Sequence, residues 1–227
     1  RSISPYSLLD SSGSTGTILM VGQISGSKSL LLKLSWVGDS RAVLCKNGNA
    51  IALTTDHRVS NESERERIEK LEGHDTANGR LDGSLMITRG FGDLRHKLNF
   101  VSTVAKDKYN VAMATIQEAM TSPSTTQEKR KGLSNAVQRD ALICTPSVSN
   151  TQTQDEDEFI MLASDGLFDV MTNQNAVNIV RSHLENSGKL NDAAEAVTNA
   201  AVELGSTDNV SVVIVAFNLS LTPLDNK

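Results

Sequence analysis

Apolar positions along the 227 residues come in short dense runs separated by small polar punctuation. Residues 17–24 ("TILMVGQI") and 30–37 ("LLLKLSWV") read as strands around the Ser/Gly turn "SGSKS". After "GDS" at 38–40, "RAVLCK" resumes a strand. Asn47-Gly48 is the strongest short hairpin signal, and "AIALT" is the return strand. The stretch 17–54 is therefore expected to be an antiparallel meander. Residues 61–72 ("NESERERIEKLE") read as a helix capped by Ser60 or Asn61, with acids in its first turn and Gly73 as its stop. "SLMIT" at 84–88 is expected to be a short strand.

The pattern then fades. Residues 94–141 are polar and irregular, with one candidate helix at 111–120, and read as an insertion. Order returns with "ALICTPSV" and the apolar run Phe159–Ala163. Two helices follow, at 173–188 and 191–205, stopped by Gly188 and Gly205. "NVSVVIVAFNL" (209–219) closes the pattern as a strand expected to be buried on both faces. Strands clustered in hairpins, rather than alternating with helices, predict largely antiparallel sheets.

Composition changes this picture little. Hydrophobic residues make up 38% and the net charge is −5, which gives no electrostatic footprint for nucleic acid. Two cysteines, Cys45 and Cys144, do not make a disulfide scaffold and fit a reducing compartment. No apolar run approaches the ~18 residues a membrane helix needs. The chain starts with Arg1 and reads as a fragment, a processed product or a trimmed chain.

Candidate chemistry lies in acids at strand ends: Asp39 in "WVGDSRAVL", Asp93 in "TRGFGD", Asp165 in "LASDGLFDV" and Asp208 in "GSTDNVSVVIV". Bunched carboxylates repel one another and lose solvation unless a cation compensates. Hard divalent ions take such oxygen ligands. Taken singly, each acid reads equally as a turn residue.

In order, "GSTGT", "GDSRAVL", "LTTDHR", "R-LDGSL-ITRGFGD", "DEFIMLASDGLFDVM" and "GSTDNVSVVIV" resemble the type 2C metal-dependent protein phosphatases, over nearly the whole chain apart from 94–141. The resemblance implies an α-β-β-α sandwich of two antiparallel sheets flanked by helix pairs. It implies hydrolysis of phosphoserine and phosphothreonine on proteins by water activated between two Mg²⁺ or Mn²⁺ ions, with a third, weaker ion. Asp165 and Asp208 would ligate a catalytic metal, and Asp39 the third ion together with Asp165. Asp169 would lie in the second shell, or equally cap the following helix. Arg41 and Arg89 read as phosphate contacts or, preferably, ion pairs. His57 reads as an acid or, preferably, a structural histidine. The charged face "ESERERIEK" is expected to be a solvated helix surface.

The family's N-terminal segment, with its "DGHGG"-type motif, is absent; His74 in "EGHDT" does not replace it. The chain thus reads as the C-terminal two-thirds of one phosphatase domain, with an enlarged flap at about 94–141 that tunes substrate choice or is neutral. The catalytic general acid and the metal-bridging ligand are expected upstream. A phosphoprotein is the expected partner, without nucleic acid or membrane insertion, for a monomer in cytoplasm, nucleus or mitochondrial matrix. A pseudophosphatase, the same fold serving as a scaffold or binding module, is the alternative.

Overall fold

The computed structural model describes residues 12–71, 74–97 and 141–217. The expected helix at 111–120, Gly73 and most of the 94–141 insertion lie outside them. The chain divides into two compact units, one of residues 1–14 and 57–145, the other of residues 15–56 and 146–227.

The second unit holds two antiparallel sheets. One has the order β2-β3-β7, built from Gly16–Gln23, Leu30–Val37 and Ser147–Gln152. The other has the order β5-β4-β8-β9, built from Asn49–Ala52, Arg41–Lys46, Asp157–Ala163 and Val212–Ala216. The expected meander is therefore split, because β3 and β4 belong to different sheets. The break falls at Gly38, whose φ of 96° turns the chain and whose missing Cβ leaves room for Thr15. The Asn47-Gly48 hairpin forms as expected, with left-handed φ of 47° and 73° and Lys46 facing Asn49.

Alternation along the strands builds two cores. Leu34, Trp36, Ala42 and Ile160 pack together with Leu162 and Val215, filling the space between the sheets. Trp36 lies in this core, with its Nε1 donating to the Thr55 carbonyl at 2.9 Å. Val43, Cys45, Phe159 and Met161 face the other way, toward α4 (Asn173–Ser187) and α5 (Leu190–Glu203). Ala176, Val177, Val180 and Leu184 are buried at helical spacing, and Gly188 ends α4 at φ 66°. One helix pair thus covers the four-stranded sheet. On the outer side of the three-stranded sheet Ile18, Met20 and Val148 are exposed, and no second helix pair covers it among the described residues.

The closing strand departs from the expectation of two buried faces. β9 is the sheet edge, and although Val215 packs inward, Val213 on the same side stays 59% exposed.

In the first unit, the two-residue strands β1 (Gly13–Ser14) and β6 (Phe91–Gly92) pair, and a single turn, α2 (Leu94–Lys97), follows. Helix α1 (Glu62–Glu69) is capped by Asn61, whose side chain accepts from the Ser63 amide. The expected strand at 84–88 is not formed. Asp82 and Gly83, at φ 49° and 67°, fold the chain so tightly that the Leu81 amide reaches the Leu85 carbonyl at 2.7 Å, leaving only isolated bridges. The face "ESERERIEK" is only partly solvated. Arg65 pairs with Glu62 and Glu69 on the outside, but Glu64 and Ile68 are buried. Among the described residues no helix is long and apolar enough to cross a membrane.

Candidate metal centre

Strand register brings the three predicted metal acids to one end of the four-stranded sheet. Arg41 pairs with Ala163, and Ala163 with Val212. Asp39 precedes Arg41 by two residues, Asp165 follows Ala163 by two, and Asp208 precedes Val212 by four. Because β8 runs antiparallel to both neighbours, all three acids leave the sheet at the same end.

The Asp165 and Asp208 loops are also stitched together. Ser164 Oγ donates to the Asn209 carbonyl and accepts from the Ser211 amide, each at 3.0 Å. The Ser164 amide reaches the Ser211 carbonyl at 3.0 Å, and Ser206 Oγ donates to the Gly166 carbonyl at 2.7 Å. Glycine is required at 166: a Cβ there would lie 2.6 Å from the Asn209 carbonyl oxygen. Asp165 opens the short helix α3 (Asp165–Phe168) and is half-buried, while Asp208 is exposed and accepts from the Asn209 amide. Asp39 is buried at the turn out of β3, where the following Ser40 hydroxyl meets that of Thr15 at 2.8 Å.

Oxygen-only donors at one sheet end suit a hard cation such as Mg²⁺ or Mn²⁺. Among the described residues, no group of three or more His, Cys, Asp or Glu side chains is gathered closely enough to hold a metal by itself. The donor set fits the ion in kind, and its acids share one sheet end without closing a cage among the described residues.

The remaining sequence candidates fall as follows. Asp169 is exposed and ends α3, its amide donating to the Asp165 carbonyl at 2.8 Å. It does not cap the next helix; Thr172 does, accepting from the Asn175 amide at 3.1 Å. Arg41 is an ion-pair residue, gripping Asp56 through Nε and Nη2 at 2.9 and 2.8 Å. Arg89, in the first unit, pairs with buried Glu64 and donates to the Thr145 carbonyl. His57 is buried, as a structural histidine would be, and His74 Nδ1 faces the Asp82 carboxylate at 3.1 Å. Asp93 belongs to the first unit, where it packs against Gly13 and its amide donates to the Ser12 carbonyl.

Two charged clusters escaped the sequence reading. Burial pushes the Glu64 carboxyl up, but hydrogen bonds from Arg89 and Thr88 and the charges of Arg67 and Arg89 outweigh it, bringing it to about 2. Behind β8, Arg181 Nε donates to Glu158 at 2.8 Å, and Cys45 Sγ lies 3.4 Å from the same oxygen. Burial, then the Glu158 charge and hydrogen bond, push the Cys45 thiol up to about 12. Only a carboxylate's usual exposure had been legible at positions 64 and 158.

The structure is an antiparallel two-sheet sandwich whose loops carry Asp39, Asp165 and Asp208 at one sheet end. The sequence model of the family described as protein phosphatase 2C matches residues 2–210, and the chain belongs to that family. It is 33% identical over 207 residues to "Probable protein phosphatase 2C 13" of Arabidopsis thaliana, covering 91% of this chain and 44% of that protein. It is also 33% identical to protein phosphatase 1B of Mus musculus, covering 92% of this chain and 44% of the mouse protein. The chain thus spans less than half the length of these relatives. Among solved structures, a phosphatase from Toxoplasma gondii aligns at a TM-score of 0.61 with 21% identity, covering 95% of this chain and 65% of that one. A sex-determining protein of C. elegans aligns at 0.56 with 22% identity, covering 84% of this chain and 39% of that one. Both likenesses concern the fold.

Proposed function

We propose that this chain supplies part of the active centre of a metal-dependent protein serine/threonine phosphatase. The observation that carries the proposal is the register that delivers Asp39, Asp165 and Asp208 to one end of a single sheet. Family membership supports phosphoprotein as the substrate class. Asp165 and Asp208 would hold a catalytic Mg²⁺ or Mn²⁺, Asp39 would join Asp165 at a weaker site, and Asp169 would support them from the second shell. Bound divalent ions supply an acidified water and positive charge against the phosphoryl oxygens.

The chain's own residues would fix where those ions sit. The serine bonds around Ser164 and Ser206 hold the two acid-bearing loops together. Asp39, buried at the turn before β4, would bring a third carboxylate to the same sheet end. The bridging ligand and the general acid are assigned to polypeptide outside these 227 residues, in keeping with the partial coverage of the relatives.

The test is phosphate release from phosphoserine and phosphothreonine peptides by the longer polypeptide containing this chain, with Mn²⁺ or Mg²⁺ present. Asp208→Asn is expected to lower the rate at least ~100-fold. Hydrolysis unchanged by that substitution would overturn the assignment. Peptide binding without hydrolysis would favour a binding module instead. The 227-residue chain alone is expected to turn over little p-nitrophenyl phosphate, and brisk turnover would refute the need for further ligands.

A further inference from the structure

Arg41 opens β4 two residues after Asp39, on the strand face shared with Val43 and Cys45, which turns it toward the helices. Besides its two-pronged grip on Asp56, it donates through Nη1 to Asn173 Oδ1 at 3.1 Å. Its guanidinium carbon also lies 4.9 Å from the centre of the Phe168 ring. A plain ion pair would need Asp56 alone. The other two contacts tie Arg41 to the last residue of α3, the turn that Asp165 opens, and to the first residue of α4. One side chain therefore joins the strand end that follows Asp39 to the turn that follows Asp165. Lysine lacks both the fork and the flat stacking plane this needs.

We propose that Arg41 is a positioning residue that holds the Asp165 turn against the Asp39 end of β4, keeping the two carboxylates in register for a shared cation. The cation rests on the phosphatase reading above; the brace itself does not.

The experiment compares wild-type chain with Arg41→Met, which keeps the aliphatic stem, Arg41→Lys, which keeps the charge, and Val197→Ala, a destabilised control in the α4–α5 core. Amide exchange is followed at Leu167 and Asp169, whose N–H groups close the turn onto Ser164 and Asp165. Urea is used to bring all four to equal global stability. Arg41→Met is expected to exchange there about tenfold faster than the control, the effect of one lost charge-assisted hydrogen bond. Arg41→Lys should fall between. In the same proteins, Mn²⁺ affinity read by paramagnetic broadening is expected to drop about tenfold in Arg41→Met and not in the control. Turn exchange equal to that of the control would overturn the proposal. Absence of Mn²⁺ binding in the wild type would overturn the cation reading alone, and the exchange measurement would still decide the brace.

Discussion

Glu64→Gln isolates the cost of a buried charge hub. The Glu64 side chain is 1% exposed and accepts from Thr88 Oγ1 at 2.8 Å, Arg89 Nε at 3.0 Å and Arg67 Nη2 at 3.1 Å. Glutamine keeps the volume, removes the charge and leaves two guanidinium groups facing an amide. Folding lowers this carboxyl from 4.5 to about 2. A folded value below the unfolded one contributes stability that is complete above pH 4.5 and lost as pH falls through 2. The shift corresponds to roughly 3 kcal/mol at pH 7, with little solvent screening to discount. Urea unfolding followed by circular dichroism should therefore show Glu64→Gln less stable by about 3 kcal/mol at pH 7. The gap should narrow to about 2 kcal/mol at pH 3.5 and below about 1 kcal/mol at pH 2.5, because only the wild type carries the titrating group. Taking the difference cancels the other carboxylates. A gap that stays constant with pH, or that is below about 0.5 kcal/mol at pH 7, would refute the reasoning.

Other perturbations probe positions in both units. In native protein at pH 8 a thiol reagent should modify Cys144, which is exposed, and spare Cys45, whose thiol is held at about 12; two reactive thiols before unfolding would contradict that burial. Thr172→Ala removes the cap of α4 and should cost about 1 kcal/mol in urea titration; no change would mean the Asn175 amide finds another partner. Gly166→Ala pushes a methyl group into the Asn209 carbonyl and should cost about 1–3 kcal/mol while disturbing the Asp208 loop in amide spectra; an unperturbed loop would show the approach is not tight.

Much of this architecture was legible because local rules agree with the fold at those positions. Asn47-Gly48 dictates its hairpin, Gly188 its helix end, and the spacing of Ala176, Val177, Val180 and Leu184 the buried face of α4. The motifs placed Asp39, Asp165 and Asp208, but only the register of β4, β8 and β9 brings them to one sheet end. What stayed hidden depends on non-local partners. Periodicity could not tell that β3 and β4 part company at Gly38, or that "SLMIT" would be folded back by positive φ at Asp82 and Gly83. Nor could it single out Glu64 among its charged neighbours, since that burial is made affordable only by Arg67, Thr88 and Arg89. Asp56, Asn173 and Phe168 converge on Arg41 from three segments, and nothing in their spacing announces it.

The central claim, that Asp39, Asp165 and Asp208 form one cation-binding end of this sheet, is tested most directly by amide spectra of the 227-residue chain with substoichiometric Mn²⁺. Broadening should centre on Gly38, Gly166 and Asn209, the neighbours of the three acids, and should fade in Asp165→Asn. Sharp signals at all three while other amides broaden, or an Asp165→Asn pattern identical to the wild type, would contradict it.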